Sequence, residues 1–128
     1  MTMPPSVVLL DSVAQLAPEH AGHIVVTGSH GGASAARYAL HVATSLVVFN
    51  DAGVGKDGAG IVALALLDAA GQAAAAVAHD SARIGEAADT LASGVLSHVN
   101  AAAARLGLAP GQRLAPALQS QLLKTPAR

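Results

Sequence analysis

The chain has 128 residues, which gives room for one domain and one modest core. Charged residues make up only 12% and the formal net charge is −1, so there is no basic footprint for nucleic acid; with aromatic residues at 2% there is no base-stacking platform either. The absence of cysteine excludes disulfides, thiolate catalysis and cysteine-ligated zinc.

Met1-Thr2-Met3-Pro4-Pro5 lacks the basic segment of a signal peptide. The longest apolar stretch, Ala59 to Leu67, stops at Asp68, well short of the roughly 20 residues of a bilayer span. The expectation is a cytoplasmic protein with no membrane or nucleic-acid partner. Hydrophobic residues reach 52% but are mostly Ala, Val and Leu. Such side chains bury little area each, at roughly 25 cal/mol per Å². A thin core favours association, so a homo-oligomer or a subunit of a larger assembly is expected.

In chain order, Val7 to Leu10 reads as a strand. Asp11 or Ser12 then caps a brief helix through Leu16, stopped before Pro18. His23 to Thr27 is the second strand, Gly28 to Gly32 a turn, and Ser34 opens a helix to about Ala43. Ser45 to Phe49 is the third strand. A long loop follows, then a helix from about Gly58 to Ala70, with Gly71 as its stop. Ala73 to Ala78 is the fourth strand, assigned by position because alanine is a weak strand former. Arg83 to Gly94 is helical in part, Val95 to Leu106 is a helix ended by Gly107, and a short helix lies near Ala115 to Leu123. Alternating strands and helices predict a three-layer, Rossmann-like α/β domain with a short, mostly parallel sheet of about four strands. One domain spans 1–128, with 110–128 as a C-terminal extension.

Three of the strands run into loops rich in glycine or polar groups, and in parallel sheets ligands bind beyond the strand carboxyl ends. In the first loop, Gly28-Ser29-His30-Gly31-Gly32, a helix N-terminus and free N–H groups suit an anion or oxyanion. His30 is the candidate general acid/base, Ser29 a nucleophile or hydrogen-bond donor, and Gly31 and Gly32 allow close approach of a ligand. In the second loop, Asp51 can orient His30 or act as a base, and Lys56 can bind a carboxylate or a developing negative charge. Asn50 and Gly53 line the same loop, while Asp51 and Asp57 alternatively cap turns. In the third, Arg83 is a natural clamp for carboxylate or phosphate. His79 ends the fourth strand, and Ser81 faces the crevice or, like Asp80, caps the next helix. Ser97-His98-Val99-Asn100 reads as a capping segment at a helix start. No cofactor or metal is expected. His30, Asp51 and His79 would hold a metal only if the fold brought three strand ends together, and no compact ligand spacing supports that.

Ile24-Val25-Val26-Thr27-Gly28-Ser29-His30-Gly31 resembles the strand and nucleotide loop of universal stress proteins, over under ten residues. There the loop precedes the last strand, whereas here much more chain follows. The later glycine followed by serine or threonine is absent. Gly53-Val54-Gly55-Lys56 resembles the end of a Walker phosphate loop. Asn50 stands in place of its first glycine, however, and Asp57 in place of its magnesium-binding hydroxyl. The leading expectation is an enzyme acting on a small polar, anionic molecule by amide or ester hydrolysis or by proton transfer. The alternatives are a nucleotide- or anion-binding module without turnover, as the stress-protein resemblance implies, and a non-catalytic subunit.

Overall fold

The structure is a computed structural model that describes residues 6–123; the first five residues, over which a signal peptide was not expected, and the last five of the predicted extension lie outside it. Five strands form one sheet: β1 (Val7–Leu10), β2 (Ile24–His30), β3 (Leu46–Asn50), β4 (Ala74–Val77) and β5 (Leu96–Val99). Their spatial order equals their chain order, with β1 to β4 parallel and β5 antiparallel to β4. Helices cover both faces, as expected of a small Rossmann-like α/β domain, and the sheet has one strand more than predicted.

The apolar runs are buried strands because alternate side chains enter two different cores. Ile24, Val26, Leu46, Val48, Ala75 and Val77 point to one face; Val25, Val47, Phe49, Ala74 and Ala76 point to the other. The β1–β2 connection, α1 (Ala33–Ala39) and α2 (Val62–Ala69) all cross the second face. After β4 the chain changes sides. The core against the first face takes in Leu91 of α3 (Ala87–Ser93), Ala102 and Ala103 of α4 (Ala101–Arg105), and Leu114, Ala117 and Leu118 of α5 (Leu114–Gln121). Among the described residues no buried side-chain nitrogen or oxygen lacks a hydrogen-bond partner. None of the described helices is long and apolar enough to cross a membrane.

Several local expectations are corrected. Gly28 does not open a turn: β2 runs on to His30, with an irregular register after Val26. A Cβ on Gly28 would stand 2.5 Å from the backbone of Gly85 and Glu86, and Gly85 N–H donates to Gly28 O at 2.7 Å. That glycine is therefore needed for close packing of the third loop on β2. α1 begins after Gly32 rather than at Ser34 and ends at Ala39. The helix predicted from Gly58 divides into a 3-10 turn at Lys56–Gly58 and α2. The helix predicted over Val95–Leu106 is β5 followed by α4: Asn100 breaks the run and caps α4 by accepting from Ala103 N–H.

Candidate functional site

The carboxyl ends of β3 and β4 and the start of antiparallel β5 meet at one edge of the sheet. Asn50 ends β3 and is fully buried. Its amide donates to Ala82 O at 3.1 Å and accepts from Ala52 N–H at 2.8 Å, so both ends are spent in joining two loops. Asp51 follows and is 5% exposed. Its Oδ1 accepts from Gly53 N–H at 2.8 Å and from His79 N–H at 3.0 Å, while Ser97 Oγ donates to Oδ2 at 2.7 Å. His79 Nδ1 lies 3.3 Å from the same Oδ1. Burial pushes the Asp51 carboxyl up, but the Ser97 hydroxyl, the two N–H groups and the His79 ring together outweigh it and hold it below the ordinary carboxylate value.

A carboxylate only accepts hydrogen bonds, so His79 must carry its proton on Nδ1 when neutral. Nε2 is then a free acceptor on a side chain that is 59% exposed. This is the arrangement of a general acid/base: a half-exposed imidazole whose tautomer is fixed by a buried carboxylate. The contact is long because Oδ1 already receives two backbone donors, so His79 is oriented rather than tightly clamped. His79 opens onto a polar cleft of about 290 Å³ that also holds Asp80, Ser81, Arg83 and Asp89. Ser81 is occupied: its hydroxyl donates to Ala78 O at 2.7 Å and accepts from Val95 N–H at 3.0 Å. The Arg83 side chain is exposed, while the Arg83 backbone N–H donates to Asp89 Oδ2 at 2.8 Å. That bond is the main reason the Asp89 carboxyl lies below its ordinary value.

The loop after Asp51 is strained. Ala52, Gly53, Val54 and Gly55 all have positive φ, and the two that are not glycine, at 51° and 67°, lie where an L side chain costs about 1–3 kcal/mol. The Asn50 and Asp51 side chains bond the N–H groups of Ala52 and Gly53 and so hold this conformation. Lys56 and Asp57 sit on its exposed outer turn.

The other predicted residues lie apart. Ser29 Oγ accepts from Val13 N–H at 2.9 Å and so fixes the turn after β1. His30 is exposed beside a separate cleft of about 150 Å³ that also contains Ser12, Ser29 and Tyr38. Gly31 and Gly32 are buried at the start of α1; Gly31 N–H donates to Asn50 O at 3.1 Å, and the His30 ring lies against Gly32. The partner of Asp51 is thus His79 rather than His30. Among the described residues no three His, Asp or Glu side chains are placed to hold a metal ion, so the convergence of His30, Asp51 and His79 does not occur.

Sequence reasoning missed Ser97 and His98, which lie in β5; His98 Nδ1 is 3.0 Å from Ser97 Oγ. The available strand signal was weak: the apolar Leu96 and Val99 bracket two polar residues, and only Leu96 is buried. It was hidden by the alanine run that follows. Another cavity, of about 390 Å³, lies at the opposite end of the sheet, lined by Thr44, Gln72, Ala73 and Arg105 among others. It lies away from the strand carboxyl ends, where ligands of such sheets bind. No family model, curated protein or solved structure matches the chain.

Proposed function

We propose that the protein is an enzyme acting on a small, polar, anionic molecule by proton transfer or by hydrolysis of an amide or ester. The observation that carries this reading is the buried Asp51 carboxylate against Nδ1 of half-exposed His79. His79 Nε2 takes a proton from the substrate or from an attacking water, and the Asp51 charge stabilises the imidazolium that results. Ser97 Oγ and the two backbone N–H groups keep that charge on Asp51. Arg83 supplies positive charge in the same cleft and binds the anionic part of the substrate. Ser29, His30 and Lys56 have no part in this step, since no hydrogen bond joins them to the Asp51 network among the described residues.

The test is a thermal-shift panel of phosphate, small mono- and dicarboxylates, cyclic amides and ATP with magnesium, followed by turnover assays with any hit. A ligand at 100 times its dissociation constant stabilises by about 2.7 kcal/mol. Stabilisation by a small carboxylate or amide, turnover lost in His79→Gln, and binding weakened in Arg83→Gln are the expected results. Turnover that survives His79→Gln refutes the assignment. Stabilisation by ATP alone would return the protein to the class of nucleotide-binding modules.

Association with further copies belongs to the same proposal. The small-residue core and the exposed Leu9, Tyr38, Leu40, Leu66, Ile84 and Leu106 support it. Light scattering on the purified chain tests it, and a monomer mass at all concentrations refutes it.

A further inference from the structure

The Asp51 network does not end at His79. Ser97 Oγ has one proton, and its short contact, 2.7 Å, is to Asp51 Oδ2, against 3.3 Å to Ala76 O. With that proton given to the carboxylate, Oγ can only accept from the ring 3.0 Å away. His98 therefore carries its proton on Nδ1, and its Nε2 is a free acceptor. Other histidines have the opposite arrangement. His20 Nδ1 accepts from Ala17 N–H at 3.0 Å and His23 Nδ1 from Ser6 N–H at 3.1 Å, which leaves their protons on Nε2.

His98 lines a second cleft, of about 320 Å³, against the flank of α2. This flank is uncovered because the chain after β5 packs on the other face of the sheet. Its wall is apolar, made by Ile61, Leu64 and Ala65 at helical spacing, with Asp68 one turn further on. Asn100 is also there but has no capacity left: its amide makes four hydrogen bonds, to Leu64 O, Gln72 O, Ala74 N–H and Ala103 N–H. Asp68 uses Oδ1 to accept from Ala102 N–H at 2.9 Å. Oδ2 has no hydrogen bond to the described residues. None of the described lining residues is a lysine or arginine. The side-chain groups left to a ligand are thus both acceptors, one neutral and one anionic, beside an apolar wall.

We propose that this cleft is a second ligand site, distinct from that at His79, and that it binds a small organic cation of alkylammonium type, with His98 Nε2 as hydrogen-bond acceptor and Asp68 as counter-charge. The alkyl part lies on Ile61, Leu64 and Ala65, and the ammonium donates to the two acceptors. The first cleft carries Arg83 beside Asp80 and Asp89, whereas the described lining of this one has no cationic side chain. The site does not depend on the reaction proposed for His79.

The experiment is NMR of the full chain labelled with nitrogen-15, read at the histidine rings at about pH 8, where an unperturbed imidazole is neutral. The rings of His79 and His98 should show the Nδ1–H tautomer, and those of His20 and His23 the Nε2–H tautomer. Butylammonium should move the His98 signals and leave those of His79, whereas butyrate should not move His98. Asp68→Asn keeps an oxygen for Ala102 N–H but loses the charge, and should weaken butylammonium binding about tenfold, which corresponds to about 1.4 kcal/mol. An Nε2–H tautomer at His98 would overturn the proposal. So would a His98 ring indifferent to butylammonium, an equal response to butyrate, or unchanged affinity in Asp68→Asn.

Discussion

Asn100→Ala probes the joint that holds β4, α2 and α4 together beside the second cleft. The side chain accepts from Ala74 N–H at 3.1 Å and Ala103 N–H at 2.9 Å, and donates to Leu64 O at 3.1 Å and Gln72 O at 2.9 Å. Asn100 is 7% exposed, so truncation leaves two donors and two acceptors without protein partners in a largely dry place. Each such group costs about 1–3 kcal/mol. Water entering from the adjacent cleft softens the penalty, which places the total near the lower end, at about 4 kcal/mol. For a domain of this size that lowers Tm by about 15 °C. Urea unfolding followed by circular dichroism should show a lower midpoint with an unchanged slope, because the buried surface is the same. Asn100→Asp keeps both acceptor bonds and should fall between the two. A loss of only about 1 kcal/mol in Asn100→Ala, the worth of a helix cap alone, would refute the view that this amide joins three elements.

Gly28→Ala should destabilise by about 1–3 kcal/mol through overpacking, because its methyl would meet the backbone of Gly85 and Glu86, and limited proteolysis should show the third loop loosened. Val54→Gly should stabilise by about 1 kcal/mol, since it removes a β-branched residue at φ 67° at a smaller cost in unfolded-chain entropy; a lower melting temperature would argue that the Val54 side chain outweighs the strain. Asp51 and Asp89 are both held below the ordinary value of 3.8, so each contributes stability that is complete above that pH and is lost as pH falls through the lowered value. The unfolding free energy of Asp51→Asn should therefore fall less steeply with acid below about pH 4 than that of the wild type, and parallel curves would show that the carboxylate is not specially stabilised. Ser97→Ala should cost about 1 kcal/mol and release the His98 ring from its Nδ1–H tautomer, which Ser97→Thr should restore.

The parallel core was legible because its strands are continuous apolar runs. Ile24 to Thr27 and Leu46 to Phe49 admit no other economical reading between turn signals, and even alanine-rich β4 followed from its place in the alternation. β5 was not legible. Leu96 to Val99 is four residues long, mostly half-buried, and followed one residue later by four alanines that favour helix. The strand is specified by pairing with β4, and its local propensity is weak. The site suffered in the same way. Asp51 and His79 could each be placed at a strand end, but their contact depends on β3 and β4 being neighbours, which no local pattern states. Ser97 reaches Asp51 across 46 residues, so the third member of the network appears only once the antiparallel strand is in place. Gly28 misled for another reason: glycine marks both left-handed turns and tight contacts, and here the contact is with a segment far along the chain.

The agreement between spatial order and chain order has a consequence for how the protein is made. As the polypeptide leaves the ribosome, every strand after the first finds its sheet neighbour already synthesised, and no gap is left for a later segment to fill. Assembly can proceed by simple addition at one growing edge, which keeps loop closure short and the exposure of unpaired edges brief. The centre at Asp51 is completed only when β5 delivers Ser97, so nascent chains acquire it after the parallel strands are already in place.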